Sequence, residues 1–224
     1  MKTRWCGWTA EPIWLNMHLN IGGRMTIGRH GAQQRDRFDP KRAALLDDPA
    51  RFRYLPLRQL FRFLDAPRGS TVLDFGVGTG TYAIELARAR PDITIIAFDE
   101  QRRMLDLLKK KLSADPLPNI QPLLADKKGF ASARGLADRI LALNVLHELG
   151  DEALNKMRSL LRFDGRILFV DWNGGIDRPV GPPRDHVYSP AKAMRRLKAF
   201  DLRIMRKRIL RYHYALVCET GKGD

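Results

Sequence analysis

The sequence predicts an α/β domain: an open, mostly parallel seven-stranded sheet with helices on both faces and an antiparallel last strand. Three observations carry this. Short apolar runs alternate with segments of helical spacing along most of the chain. The first five runs end on a polar residue, Asp74, Asp99, Asp126, Asn144 or Asp171. The last two runs are separated by too little chain for a helical crossover, so they must pair antiparallel. With 224 residues, 44% of them hydrophobic, the chain is long enough for one substantial core, and residues 38–224 are expected to form a single domain.

In chain order, residues 38–65 contain short helices punctuated by proline. Pro56 suits a helix start, and Leu57, Leu60, Phe61 and Leu64 repeat at helical spacing. They are expected to cap the sheet. Residues 72–80, VLDFGVGTG, read as strand and tight turn, followed by a helix over 81–89. The second strand spans 93–98 and ends on Asp99, and a helix follows over 102–112. The third, 120–125, ends on Asp126, and the fourth, 139–143, leads into Asn144. After NVLHEL and Gly150, Asp151 is expected to N-cap a helix that presents Leu154, Met157 and Leu161 on one face. The fifth strand, 166–170, ends in Asp171 and Trp172. A long loop, 173–189, precedes a helix that starts at Pro190 and runs to residue 200, and the hairpin strands lie near 202–210 and 212–219.

The chemistry concentrates in the first turn. Gly76, Gly78 and Gly80 stand at alternate positions between a strand and a helix. Glycine there admits left-handed backbone and close approach of a ligand to main-chain N–H groups, and a helix start adds partial positive charge. A dinucleotide-binding turn would be G-x-G-x-x-G/A. Counted from Gly76, its third small residue falls on Thr81, and the glycine comes one position early. Asp99 lies 25 residues beyond Asp74, where an acidic side chain after the second strand can accept from both ribose hydroxyls. Taken alone, Asp99 also suits a cap on the following helix.

D-x-G-x-G-x-G after a strand, followed by the acids closing strands two and three, resembles the class I S-adenosylmethionine-dependent methyltransferases. The segment from Asn144 through LLRFDGRILFVDW resembles their quinone-biosynthesis-like branch (type 11/25). The resemblance extends over about residues 38–219. It implies a Rossmann-like sheet in the order 3-2-1-4-5-7-6, S-adenosylmethionine as cofactor, and methyl transfer by in-line displacement. Cofactor-binding residues are then Asp74, Gly76, Gly78 and Gly80, with Asp99 and its neighbour Glu100. Asp126 would face the adenine amino group, and Asn144 would line the cleft beside the methionine moiety. The cap, with Phe38, Arg53 and Tyr54 as candidate cleft residues, would close over the cofactor. Loop 173–189 would act as a lid, with Asp185, His186 and Tyr188 as candidates for the acceptor side.

A general base is needed only where the acceptor must lose a proton. His147, a few residues past the fourth strand, is the candidate catalytic residue, because imidazole titrates near neutrality. Glu148 and Asp171 stand behind it. The acceptor is expected to be a small molecule. Base-amino methyltransferases carry Asn/Asp-Pro-Pro-aromatic after strand four, whereas this chain has Asn144-Val145-Leu146-His147. Two other readings stay open: an RNA methyltransferase, and a protein that holds the cofactor without transferring methyl.

Net charge is +15, which fits nucleic acid, an anionic surface or merely a solvated arginine-rich exterior. The densest basic stretch, 192–211, divides between a helix and a strand. No metal site is expected, because the two cysteines, Cys6 and Cys218, are far apart and give neither a metal cluster nor a disulfide framework. No apolar run reaches the roughly 18 residues that span a bilayer. A reduced, cytoplasmic setting follows as the expectation. Residues 1–37 read as a poorly ordered extension. Trp5, Trp8 and Trp14 follow no period, and Met25 is the expected start if the first residues are absent from the native protein.

Overall fold

The computed structural model describes residues 38–221, and the expectations for residues 1–37 and Cys6 lie outside them. A 3-10 helix, Pro40–Asp47, and two short α-helices, α1 (Arg51–Tyr54) and α2 (Leu57–Leu64), form the N-terminal cap. Then come β1 (Thr71–Phe75), α3 (Thr81–Ala89), β2 (Thr94–Asp99), α4 (Arg102–Ala114), β3 (Ile120–Leu124), α5 (Lys127–Ala133) and β4 (Ala137–Leu143). The chain continues through α6 (Asp151–Leu160), β5 (Leu161–Trp172), α7 (Pro190–Lys198), β6 (Leu202–Ile209) and β7 (His213–Thr220). The sheet order is β3-β2-β1-β4-β5-β7-β6, as expected. Strands β1 to β5 pair in parallel, and β7 pairs antiparallel with both β5 and β6.

Alternation along the strands divides the core into two layers. Leu73, Phe98, Ile140 and Phe169 face α6 and α7 through Leu154, Met157, Ala193 and Leu197. Val72, Ile95, Leu141 and Leu168 face α2, α3 and α4 through Leu60, Leu64, Leu86 and Leu108. The long basic stretch splits as expected, and its β6 half is a sheet edge. There Arg203, Arg206, Lys207 and Arg208 are exposed, and such charges discourage pairing with another chain.

Three boundaries differ from expectation. Gly150, not Asp151, occupies the N-cap of α6, and Asp151 is its first residue, where its charge complements the helix dipole. Leu161 does not extend the helical face; Leu160 takes that buried place and Leu161 opens β5. Strand β5 begins five residues earlier than its apolar run, because Ala137 pairs with Leu161 across a register shift. Short helix α5, which no periodicity announces, is nucleated by the Asp126 side chain accepting from the Gly129 N–H at 2.8 Å. Gly129 is required for a different reason from the turn glycines: a Cβ there would lie 1.8 Å from the Leu124 carbonyl oxygen. Among the described residues no helix is long and apolar enough to cross a membrane.

Candidate active site

Parallel pairing brings the carboxyl ends of β1 to β5 to one edge of the sheet, and the polar residues after them converge there. The turn after β1 is held against β2 by the N–H groups of Gly76 and Val77, which donate to the Phe98 carbonyl at 2.8 and 3.1 Å. Gly76, Gly78 and Gly80 have φ of 76°, 57° and 81°, the left-handed region that disfavours side chains. Space is short for them as well. A Cβ at Gly76 would approach Val145 Cγ1 to 2.7 Å, and one at Gly80 would approach Leu108 Cδ1 to 2.4 Å.

Asp99 sits at the floor of this turn. One carboxylate oxygen accepts from Gly78 N–H and the other from Gln101 N–H, each at 2.8 Å. The helix-cap role weighed for it falls instead to Gln101, which caps α4 through its backbone. Each Asp99 oxygen keeps a second lone pair for a ligand hydroxyl. Burial pushes its carboxyl above the usual range, the two N–H donors opposing that shift. Asp74, at the end of β1, is only 4% exposed. Burial and the neighbouring Asp99 charge push it up to about 7, and Arg51 works the other way. Two crowded carboxylates favour a cation beside them. Ala125 N–H donates to the Asp99 carbonyl at 2.8 Å, which places Asp126 one residue beyond. Asn144, in left-handed backbone at φ 57°, donates its N–H to the Val170 carbonyl at 2.7 Å. Its side-chain Oδ1 is buried and has no protein partner, and buried polar atoms without one call for a ligand or water.

Beyond Asn144 the turn delivers His147 against the end of β5. The Nδ1 of His147 lies 2.9 Å from both oxygens of Asp171, whose side chain is 0% exposed. Asp171 also accepts the backbone N–H groups of His147 (2.9 Å) and Trp172 (2.8 Å). Burial acts to lower the His147 pKa, but the Asp171 charge and hydrogen bond, with help from Glu148, outweigh it and hold the ring above its ordinary value. Glu148 Oε1 is 3.6 Å from His147 Nε2, and its other oxygen accepts the Phe38 N–H at 3.4 Å. Burial raises the Glu148 carboxyl, against the His147 charge and the Phe38 bond.

The N-terminal cap reaches the site through residues that periodicity did not single out. Asp47 accepts from the Thr79 and Thr81 hydroxyls at 2.5 and 2.7 Å and from Lys111 at 2.6 Å, clamping the cap to the glycine turn and α4. Partial burial works to raise its pKa, yet these three donors hold it below the usual range. Arg51 carries its guanidinium beside Asp74, with the Leu46 carbonyl 2.5 Å from Nη1 and the Tyr82 ring centroid 5.0 Å from Cζ. Of the three cap residues named from sequence, Phe38 borders the site between Glu148 and Gln101, whose side chain donates to the Phe38 carbonyl at 3.1 Å. Tyr54 packs edge-on to Tyr212, and Arg53 points to solvent.

In loop 173–189, which carries a 3-10 turn at Arg184–His186, Asp185 and His186 are exposed. Tyr188 is buried in the core, its hydroxyl accepting from Arg196 at 2.6 Å. The polar residues of this region that turn inward are others: Arg178, beside Trp172, and His213. No group of His, Cys, Asp and Glu suited to a metal ion occurs among the described residues.

A family model described as a methyltransferase domain matches residues 72–165. The chain is 28% identical over 109 residues to a ubiquinone/menaquinone biosynthesis C-methyltransferase of Geotalea uraniireducens, covering 47% of this chain and 46% of that protein. It is 43% identical over 54 residues to a tRNA (guanine-N(7)-)-methyltransferase of Enterococcus faecalis, covering 24% and 25% of the two chains. The chain thus spans about a quarter to a half of the length of these curated relatives. A solved S-adenosylmethionine-dependent methyltransferase of Aquifex aeolicus superposes with a TM-score of 0.76 at 24% identity, over 81% of this chain and 98% of that one, and shows the same fold. With the strand order and the glycine turn, these matches show a methyltransferase domain over residues 72–165 on a sheet that resembles the S-adenosylmethionine-dependent methyltransferases of type 11/25.

Proposed function

We propose that the protein transfers a methyl group from S-adenosylmethionine to a small-molecule acceptor in the cytoplasm. The observation that carries this is the meeting of Asp74, Asp99 and the Gly76–Gly78–Gly80 turn at one sheet edge. The residues fit the group: left-handed glycines give a close main-chain approach, Asp99 offers a lone pair on each oxygen to the ribose hydroxyls, and Asp74 offers negative charge to an ammonium or sulfonium. The unpartnered Asn144 Oδ1 would accept from an amino group. Asp126 is the residue for the adenine amino group, with Glu100 at the ribose side. Bound S-adenosylmethionine supplies an activated methyl, so the chain's main task is to orient the acceptor in line with it and exclude water. Such orientation is worth an effective concentration of about 10⁵–10⁸ M.

His147 is the base where the acceptor must lose a proton. With Nδ1–H donated to Asp171, Nε2 is the basic nitrogen, and Asp171 stabilises the cation that forms. Asp171 is then a positioning residue rather than a base itself. Incubating the full chain with methyl-labelled S-adenosylmethionine and a fractionated small-molecule extract tests this. Label should move into a small product in wild type and fall in His147→Gln. Cofactor binding with no labelled product in any fraction would favour a cofactor-holding protein. An RNA acceptor draws support from the +15 charge and the short match to the tRNA enzyme. It predicts label in the RNA fraction, in an amount falling steeply with salt.

A further inference from the structure

A second group of polar atoms sits beside the His147–Asp171 pair, where the end of β5 meets the start of β7. Trp172 follows Asp171 at the end of β5 and pairs in register with His213 at the start of β7. Their rings lie 4.0 Å apart between centroids, tilted by 31°. Arg178, from loop 173–189, places its Cζ 5.2 Å from the Trp172 ring centroid. Gly181 sets this contact: at φ +92°, a Cβ there would come within 2.6 Å of Arg178 Nη1 and 2.8 Å of Trp172 Cδ2.

Four buried nitrogens of this group have no hydrogen-bond partner. Arg178 Nη1 donates to the Val180 carbonyl at 2.9 Å, but Nε and Nη2 are buried and have no partner. Those two nitrogens form one edge of the guanidinium, the parallel pair of donors that matches the two oxygens of a carboxylate. Asp171, the nearby anion, already accepts three N–H groups and does not hydrogen-bond to that edge. His213 is 1% exposed, and neither ring nitrogen has a partner. Burial and the Arg178 and Arg51 charges push it down to about 4 despite Asp171, so it is neutral, with one N–H to give and one lone pair to receive. Leaving these groups dry is costly.

We propose that Trp172, Arg178 and His213 form the acceptor subsite, and that it takes a planar, ring-borne carboxylate. The carboxylate pairs with the Nε/Nη2 edge of Arg178, the ring lies beside Trp172 in the space that Arg178 and Gly181 leave when their loop moves, and His213 meets a hydroxyl or carbonyl on the ring. A phosphate dianion fits less well, because one guanidinium edge beside the Asp171 carboxylate does not balance two charges. Since both nitrogens are shut off from solvent, the ligand comes in with loop 173–189 displaced, which makes that loop a lid through Arg178. This assignment rests on the methyltransferase reading only in calling the ligand the acceptor.

The test is calorimetry on the full chain, with and without saturating S-adenosylhomocysteine. The probes are benzoate, 4-hydroxybenzoate and indole-3-carboxylate, each beside its primary amide, together with phenyl phosphate. The expected result is that at least one carboxylate binds about 10- to 100-fold tighter than its amide, the range of a charge-assisted pair. That preference should vanish in Arg178→Gln and shrink in Arg178→Lys, which keeps the charge without the fork. Melting temperatures are read in parallel, and if the Gln variant does not fold, the Lys variant carries the comparison. The proposal is overturned if no carboxylate outbinds its amide, if the preference survives both substitutions, or if phenyl phosphate binds tightest. Failure of S-adenosylhomocysteine to bind would instead remove the cofactor reading, and the arm without it still reports on Arg178.

Discussion

His147 Nδ1 lies 2.9 Å from both oxygens of Asp171, and Asp171 is wholly buried. This contact fixes the imidazole's tautomer and raises its basicity at once. For an acceptor that must lose a proton, His147→Gln should lower turnover about 10²- to 10⁴-fold, the usual worth of a general base, with little change in cofactor affinity. Asp171→Asn should lower turnover and also move the acidic limb of the pH profile. Because Asp171 holds the His147 pKa up, the limb at which activity appears should shift to lower pH in the Asn variant. An unmoved limb would show that His147 does not titrate in the reaction.

Asp74 gives a second pH dependence, in binding. Burial and Asp99 push its pKa up to about 7, so the ligand-free fold keeps a proton that the unfolded chain loses near 4. Stability from this group therefore falls as pH rises from about 4 to about 7. A cationic ligand favours the ionised form, so S-adenosylmethionine affinity should rise about tenfold between pH 6 and 8. Calorimetry at those two values checks it, and Asp74→Asn should flatten the difference.

The glycine turn has little tolerance. Gly80→Ala must displace Leu108 and hold alanine at φ 81°, and overpacking of that kind costs about 1–3 kcal/mol. Gly76→Ala meets Val145, the residue after Asn144, so it should weaken cofactor binding more than it lowers the melting temperature. Differential scanning fluorimetry with and without S-adenosylhomocysteine separates the two effects.

Asp47 ties the cap to the turn through Thr79, Thr81 and Lys111. Asp47→Ala should cost about 1 kcal/mol, discounted for its partial exposure, and weaken cofactor binding. Because these donors lower the Asp47 pKa, its contribution is present near neutral pH and is lost as pH falls through the folded value. Wild type and variant should therefore converge in melting temperature under acid.

The sheet and the glycine turn were legible because they are local. Apolar runs ending on Asp74 and Asp99, with glycines at alternate positions, state strand, turn and ligand side within a few residues. The antiparallel close at β7 followed from loop length alone. Contacts between distant segments were not legible. Nothing in the irregular 38–55 stretch marks Asp47 or Arg51 as neighbours of the turn, whereas of the residues named instead Arg53 is exposed and Tyr54 packs on Tyr212. Loop 173–189 was noticed for its length, but side-chain direction decided its chemistry: Asp185 and His186 turn outward and Arg178 inward. His213 carried no signal, since a histidine at a strand start is ordinary until its ring nitrogens are found buried without partners.

On the proposed function, the carboxyl edge of β1 to β4 holds the adenosyl and ribose groups of the methyl donor. Isothermal titration of the full chain with S-adenosylmethionine, S-adenosylhomocysteine and NAD, repeated on Asp99→Ala, tests it most directly. Micromolar binding of the first two, no measurable binding of NAD, and loss of both in the variant are expected. Tighter binding of NAD, or unchanged affinity for S-adenosylmethionine in Asp99→Ala, would contradict it.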